Sequence, residues 1–424
     1  MFPHAFIVVH GGAGVHGTKS EKEVKQALKN ACTKALTLSD LTYSGSRYSP
    51  RSLVERSIRV LEDDEHLNAG YGSNLTIEGT VECDAAIMDV DLHSGRVSFG
   101  SVGALAGIKN PISAACTVLD QSTIPNKLGL IPPLTLVSNG AHLFATFRGV
   151  LGVPPESLIS PAARVNWQKW KTRLENSYTD ASSPKIQHQQ DDKDEEMSMQ
   201  DTVGAIACLE GQGVAAGVSS GGLLLKCPGR IGEAATYGAG CWATTSKDGQ
   251  SVACSVSGTG EHITKMDLAR RIGEVLSAVS LSEQGLKENS GDPHSVLEGL
   301  LSEFWQTCKK DGEDSPSAGV IVLTMMPIEC GDANSTEDND NIADHPHNVT
   351  GVQSQEKKRQ CASPVRVRLW CAFTTASMAV GYASTRSSKP KATIFRQPNP
   401  QRVDQQDGRG DKPQIYITSI SLSL

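Results

Sequence analysis

Apolar residues along the chain fall into short unbroken runs and into helically spaced sets, which together predict blocks of strands separated by helices. Ala5-Phe6-Ile7-Val8-Val9-His10 has the length and content of a buried strand, and Gly11-Gly12-Ala13-Gly14 is expected to end it in a glycine-rich turn. Ser20 with Glu23 fits a capping box, and Val24, Ala27, Leu28, Ala31 and Ala35 then share one helix face. Val54, Ile58 and Leu61 mark a second helix, which stops before the loop Asn68-Ala69-Gly70-Tyr71-Gly72-Ser73-Asn74. Strands are expected over 80–88 and 97–105. From about Pro154 the sequence turns polar, and 183–200 is so poor in apolar residues that it should be disordered. Order resumes at Thr202, where 203–208 and 214–218 read as a hairpin joined at Gly211-Gln212-Gly213. One long helix, capped by Thr264 and Asp267, should carry Leu268, Ile272, Val275, Leu276 and Val279 on one face. Strands at 319–323 and 365–373 flank an acidic, Asn-rich insertion at 331–360, and a polar tail follows at 396–413. This alternation favours sheets covered by helices over a bundle.

The chain has 424 residues, enough for one large α/β domain or two to three smaller ones. Its longest apolar runs fall far short of the roughly 20 residues of a membrane-spanning helix, and the first residues, Met1-Phe2-Pro3-His4, lack the pattern of a secretory signal. A cytoplasmic or nuclear setting is therefore expected, with no membrane partner. The net charge of −7 argues against a nucleic-acid binder, and much of the acid is local, at 191–196 and 337–344. Eleven cysteines without a CxxC pair suggest neither a disulfide framework nor a zinc site; most should be small buried apolar residues.

The motifs of nucleotide hydrolysis, zinc proteolysis and the common serine-hydrolase elbow are absent: there is no GxxxxGK[ST], HExxH or GxSxG. What the chain does carry is a series of small-residue clusters with hydroxyls at Thr202, Ser220, Ser257 and Thr259. Taken singly, each cluster reads as a tight turn or a strand residue. In conjunction they offer hydroxyl nucleophiles beside glycines that let backbone N–H groups approach a ligand, as acyl transfer requires. A threonine becomes reactive when the bond before it is cut, because its freed α-amino group, with a pKa of ~7.7–8.0, can take the proton of its own hydroxyl. A polar linker that ends at Asp201 and a strand that opens at Thr202 are laid out for such a cut.

These clusters resemble, in order, the plant-type asparaginases or isoaspartyl aminopeptidases of the N-terminal-nucleophile hydrolases. The matching runs are His10-Gly-Gly-Ala-Gly, Asn68-Ala-Gly, Cys83-Asp84-Ala85 with Met88-Asp89, Lys109-Asn110-Pro111, Thr202-Val-Gly-Ala, Gly221-Gly222, Pro228-Gly229-Arg230 and Gly258-Thr-Gly-Glu, spread over about 7–382. The resemblance implies a four-layer αββα sandwich and one hydrolase domain, 1–424, made of two self-cleaved chains: 1–201 (α) and 202–424 (β), which stay together. It further implies a homodimer of αβ units. Carried over residue by residue, Thr202 is the nucleophile and its amine the base, while Ser220 bonds the nucleophile and Asn68 braces it. Ser257 with the Gly258 N–H would form the oxyanion hole. Arg230 would grip a substrate carboxylate, with Glu233 and Gly260 completing the substrate-binding set. All of this chemistry is supplied by protein atoms, so no cofactor or catalytic metal is expected, although a structural cation near the Asn68 loop is compatible with the resemblance.

Three departures bear on the substrate. Where the small-molecule enzymes follow the arginine with Gly-Asp-Ser-Pro, whose aspartate holds a substrate's free α-amine, this chain has Ile231-Gly232-Glu233-Ala234. Val218-Ser-Ser-Gly-Gly replaces Thr-Ser-Thr-Gly-Gly, and Asp201 replaces the glycine often found before the nucleophile. All three resemble the threonine aspartase (taspase) branch, endopeptidases that cut proteins after aspartate; Gly240-Cys-Trp-Ala and Gly260-Glu261-His262 agree with it. Glu233 is still an anion, so an asparaginase or isoaspartyl peptidase acting on small substrates stays open. A non-enzymatic scaffold that offers acidic loops to basic partners is a third reading, disfavoured by the intact Thr202 and Arg230.

Overall fold

A computed structural model of the chain describes residues 4–18, 20–37, 48–92, 94–124, 128–179, 202–278, 292–327, 365–387, 389–398 and 413–422. The disorder expected at 183–200 and 331–360, nearly all of the 396–413 tail and Asp201 lie outside the described residues.

Thirteen strands are present among them: β1 (Ala5–Gly14), β2 (Cys83–Asp91), β3 (Arg96–Leu105), β4 (Thr135–Val137), β5 (Val203–Leu209), β6 (Gly213–Ser220), β7 (Cys241–Thr245), β8 (Ser251–Gly258), β9 (Ala318–Pro327), β10 (Val365–Phe373), β11 (Ser377–Ser384), β12 (Lys391–Arg396) and β13 (Tyr416–Leu422). The helices are α1 (Glu21–Leu36), α2 (Pro50–Glu62), α3 (Pro111–Thr123), α4 (Ser138–Phe147), α5 (Pro161–Thr179), α6 (Gly260–Lys265), α7 (Leu268–Ala278) and α8 (Pro293–Lys310). One sheet runs β12-β11-β1-β5-β6-β2-β3-β4 and the other β13-β10-β9-β8-β7.

The unbroken apolar runs are explained by burial on both faces. Side chains alternate across a strand; in β1, Phe6 and Val8 enter the core between the sheets, while Ile7 and Val9 pack under the first helices. Leu28, Val54, Ile58 and Val118 of α1, α2 and α3 cover that outer face of the larger sheet. The inter-sheet cluster continues across the smaller sheet, through Val256 and Val322, to helices α7 and α8, which contribute Leu268, Ile272, Leu301 and Phe304. The result is four layers, αββα, as the resemblance implied. No described helix is long and apolar enough to cross a membrane.

Several local expectations are corrected. The glycine run after His10 does not end β1: the strand continues to Gly14, with a register shift between His10 and Ala13 that Gly12 accommodates at φ 98°. Ser20 precedes α1 but makes no capping bond, because its backbone (φ −100°, ψ 2°) lacks the extended geometry that aims a capping hydroxyl. A reciprocal box forms instead at α2, between Ser49 and Ser52. The single helix expected from Thr264 is two, α6 and α7, broken where Asp267 takes φ 47°. Helices α3, α4, α5 and α8 are additions to the sequence pattern, although Asn110-Pro111 places Pro at the first turn of α3, where a missing N–H costs nothing. Of the nine described cysteines, all free, only Cys227 is exposed.

Candidate active site

Thr202 immediately precedes β5, whose neighbours are β1 and β6. Val203 pairs with Ser219, which brings the Thr202 side chain to Ser220 at the end of β6. Thr202 is 5% exposed, and its Oγ1 lies 2.9 Å from Ser220 Oγ and 2.7 Å from Glu233 Oε1. Ser220 Oγ also accepts the Gly222 N–H at 3.0 Å. A hydroxyl has one proton, so it serves one of these acceptors at a time. With Glu233 ionised, Thr202 donates to the carboxylate and Ser220 can donate to Thr202; with Glu233 protonated, the directions reverse. Glu233 is buried, and desolvation raises its pKa, opposed by the Thr202 hydrogen bond. The three groups can therefore stay hydrogen-bonded to one another in either protonation state of Glu233.

Asn68 stands in the loop after α2. Its Nδ2 donates to Gly222 O, its Oδ1 accepts from Asn74 N, and its carbonyl accepts from Gly221 N, each at 2.9 Å. It thereby clamps the turn that follows Ser220. The loop folds tightly because Gly70, at φ 56°, lies where a Cβ would strike Glu62 O.

Arg230 and Glu233 are carried by the loop after β6. Asp84 of β2 fixes that loop: Oδ2 accepts from Gly232 N at 2.7 Å and Oδ1 from Ala104 N at 2.8 Å. Arg230 gives both Nε (2.8 Å) and Nη2 (2.7 Å) to Glu261 Oε1. Gly260 sits where a Cβ would collide with Glu233 Oε2 and come within 3.0 Å of Arg230 Nη2, so its lack of a side chain lets the two groups approach. Ser257 is fully buried at the end of β8, and its Oγ accepts from Ala13 N at 3.3 Å. Gly258 adopts φ 143°, where a side chain would run into Ser317.

Thr202, Ser220, Glu233, Arg230 and Gly260 thus form one connected cluster, with Asn68 joined to it through Gly222. Ser257 and Gly258 end a strand of the facing sheet. The same part of the fold contains residues to which sequence reasoning gave no role. His10, fully buried, places Nε2 2.9 Å from Ser255 Oγ, and desolvation lowers its pKa to about 3, so it is neutral. Its Nδ1 accepts from Gly12 N, which leaves the proton on Nε2. Glu62, also fully buried, accepts from Ser219 Oγ (2.7 Å) and Ile112 N (2.8 Å), and desolvation raises its pKa to about 8. Asp84 and His10 were visible in the Cys83-Asp84-Ala85 and His10-Gly-Gly-Ala-Gly motifs, though without a role; Glu62 was hidden because a charged residue next to an apolar stretch reads as a solvated end. Among the described residues no group of three or more His, Cys, Asp or Glu is arranged to hold a metal ion.

A family model described as Asparaginase matches residues 3–290. Over 266 residues the chain is 35% identical to an isoaspartyl peptidase/L-asparaginase of Xenopus laevis, covering 63% of this chain and 74% of that protein. It is 36% identical over 266 residues to the protein of the same name from Bos taurus, covering 62% and 74%. A plant-type L-asparaginase of Pyrococcus abyssi is 33% identical over 268 residues, covering 62% and 77%.

Proposed function

The chain belongs to the asparaginase family of N-terminal-nucleophile hydrolases, and from that premise we propose that it is a threonine endopeptidase that activates itself by cutting Asp201-Thr202 and then cuts proteins after aspartate. The observation that carries this reading is the position of Glu233. A residue that anchors a substrate ammonium must present an ionised carboxylate to open space. Glu233 is instead buried against the nucleophile's hydroxyl at 2.7 Å, and burial favours its neutral form. Asp84 has both carboxylate oxygens engaged by backbone N–H groups. An aspartate inside a polypeptide has no free amine and needs no such anchor.

In this mechanism the Thr202 hydroxyl attacks the carbonyl of residue 201, and the acyl group moves from nitrogen to oxygen. Water then hydrolyses the ester, leaving Thr202 with a free amine. On a bound substrate the amine takes the hydroxyl proton, Thr202 Oγ1 attacks the main-chain carbonyl of the aspartate, and Ser257 with the Gly258 N–H receives the oxyanion charge. The proton then passes to the leaving amine, and water releases the acyl group.

The names of the relatives favour a second reading, hydrolysis of asparagine or isoaspartyl dipeptides. One parallel assay on the processed protein separates them, using a Gln-X-Asp-Gly peptide, a β-aspartyl dipeptide and free asparagine. Cleavage of the peptide alone supports the endopeptidase; turnover of either small substrate without the peptide overturns it.

A further inference from the structure

Lys226 is 5% exposed, yet among the described residues its ammonium has a single hydrogen bond, Nζ to Glu82 O at 2.5 Å, and no carboxylate forms an ion pair with it. Three donors on a buried cation with one neutral acceptor is an incomplete arrangement: the Asp84 carboxylate, whose pKa the Lys226 charge lowers, balances part of the charge but accepts from the Gly232 and Ala104 N–H groups rather than from Nζ. Its location gives this imbalance meaning. Gly222 at φ 67° faces two cations: a Cβ built on it would lie 3.0 Å from both Lys226 Nζ and Arg230 Nη1. Arg230 commits Nε and Nη2 to Glu261, so Nη1 is the guanidinium nitrogen turned toward Lys226. Two residues before Gly222 stands Ser220, which touches the nucleophile.

The framework holds both cations there. Glu82 accepts from Lys226 Nζ through its carbonyl and from Gly229 N through its side chain at 2.7 Å, spanning the loop between the two residues. Leu225, at φ 58°, turns the chain just before Lys226, and its N–H is tied to Leu75 O at 2.8 Å.

We propose that Lys226 and Arg230 together form the seat of the substrate's aspartate carboxylate, Lys226 Nζ donating to one oxygen and Arg230 Nη1 to the other beside Gly222. The proposal rests on the endopeptidase reading only for the identity of that carboxylate as an aspartate side chain. The pair explains selection of aspartate over asparagine, whose amide would present N–H groups to two cations. It also disfavours glutamate, whose extra methylene would move the scissile carbonyl off Thr202.

The test uses the processed protein, the Gln-X-Asp-Gly peptide and succinate as a carboxylate probe. Completed self-cleavage on a denaturing gel certifies the fold of each variant. Lys226→Met should raise KM by about tenfold to a hundredfold, the loss of one charge-assisted bond, with a smaller change in kcat; Lys226→Arg should recover part of it. Succinate should raise the Tm of the wild type and not that of Lys226→Met. A processed Lys226→Met with unchanged KM and an unchanged succinate shift would overturn the proposal. If that variant does not fold, a crystal structure of the processed wild type with succinate decides: a carboxylate between Nζ and Nη1 supports the seat, and one on Arg230 alone overturns it. Failure of the wild type to cut the peptide would instead remove the endopeptidase reading, with the succinate measurements still deciding the seat.

Discussion

Thr202 and Glu233 meet at 2.7 Å, hydroxyl to carboxylate, in a site from which water is nearly excluded. On the proposed reading this contact bears on both activation and substrate choice, because the position that could anchor a substrate amine is engaged with Thr202. Glu233→Gln keeps the size and a carbonyl acceptor for the Thr202 hydroxyl and removes only the ionisable group. Its kcat/KM on an aspartyl peptide should stay within about tenfold of the wild type, ~1.4 kcal/mol. A much larger loss, confined to small substrates with a free amine, would identify Glu233 as their anchor.

Self-cleavage should leave a β fragment that begins Thr-Val-Gly-Ala. Thr202→Ala should remain one chain, and Thr202→Ser, which retains a hydroxyl beside Ser220 and Glu233, should cut more slowly. Edman sequencing of the fragment checks the site; any other N-terminus would displace Thr202 as the nucleophile.

On the proposed reading Arg230 is needed for a bound carboxylate but not for a scissile bond held in place by its own chain. Arg230→Ala should self-cleave and fail on substrate. Arg230→Lys keeps the charge but loses the fork that can hold Glu261 and a substrate carboxylate together, and should lose roughly 1.5–3 kcal/mol in kcat/KM. Glu261, half exposed, holds the guanidinium through Nε and Nη2; such a pair is worth up to ~1 kcal/mol. Glu261→Gln should therefore raise KM by no more than about fivefold. A fall in KM would mean that Glu261 competes with substrate for Arg230.

The sequence revealed those parts of the site whose chemistry leaves a local mark. Thr202 stood out because a polar linker meets an apolar strand there, and the β5-β6 hairpin followed from apolar runs around Gly211. Arg230 stood out on its glycine loop. Lys226 did not, because nothing local shows that Leu225 turns the chain and buries it. Glu62 closes an amphipathic helix, and only the packing of α3 and Ser219 against it removes it from water. The break between α6 and α7 was equally hidden: Leu268, Ile272 and Leu276 keep the expected face, while Val275 is exposed and Val279 lies outside the described residues, but the positive φ of Asp267 has no periodic signature.

Glu62 supplies a pH-dependent test of stability. Its pKa rises from 4.5 to about 8, chiefly by desolvation. The folded protein therefore binds this proton more tightly than the unfolded chain, so the group's contribution to stability is fully present below about pH 4.5 and is lost as pH rises towards 8. Gln at this position cannot ionise and can still accept from Ser219 and Ile112, although its amide N–H groups would take the place of Oε2, which has no hydrogen-bond partner among the described residues. Glu62→Gln should thus carry a roughly constant cost at low pH and gain on the wild type as pH rises. The difference in Tm between the two should change in favour of the variant by about 4 °C or more between pH 4.5 and 8 and then level off. Parallel melting curves across that range check it; a constant difference would mean that Glu62 is already ionised in the folded protein and that its charge is balanced by groups other than Ser219 and Ile112.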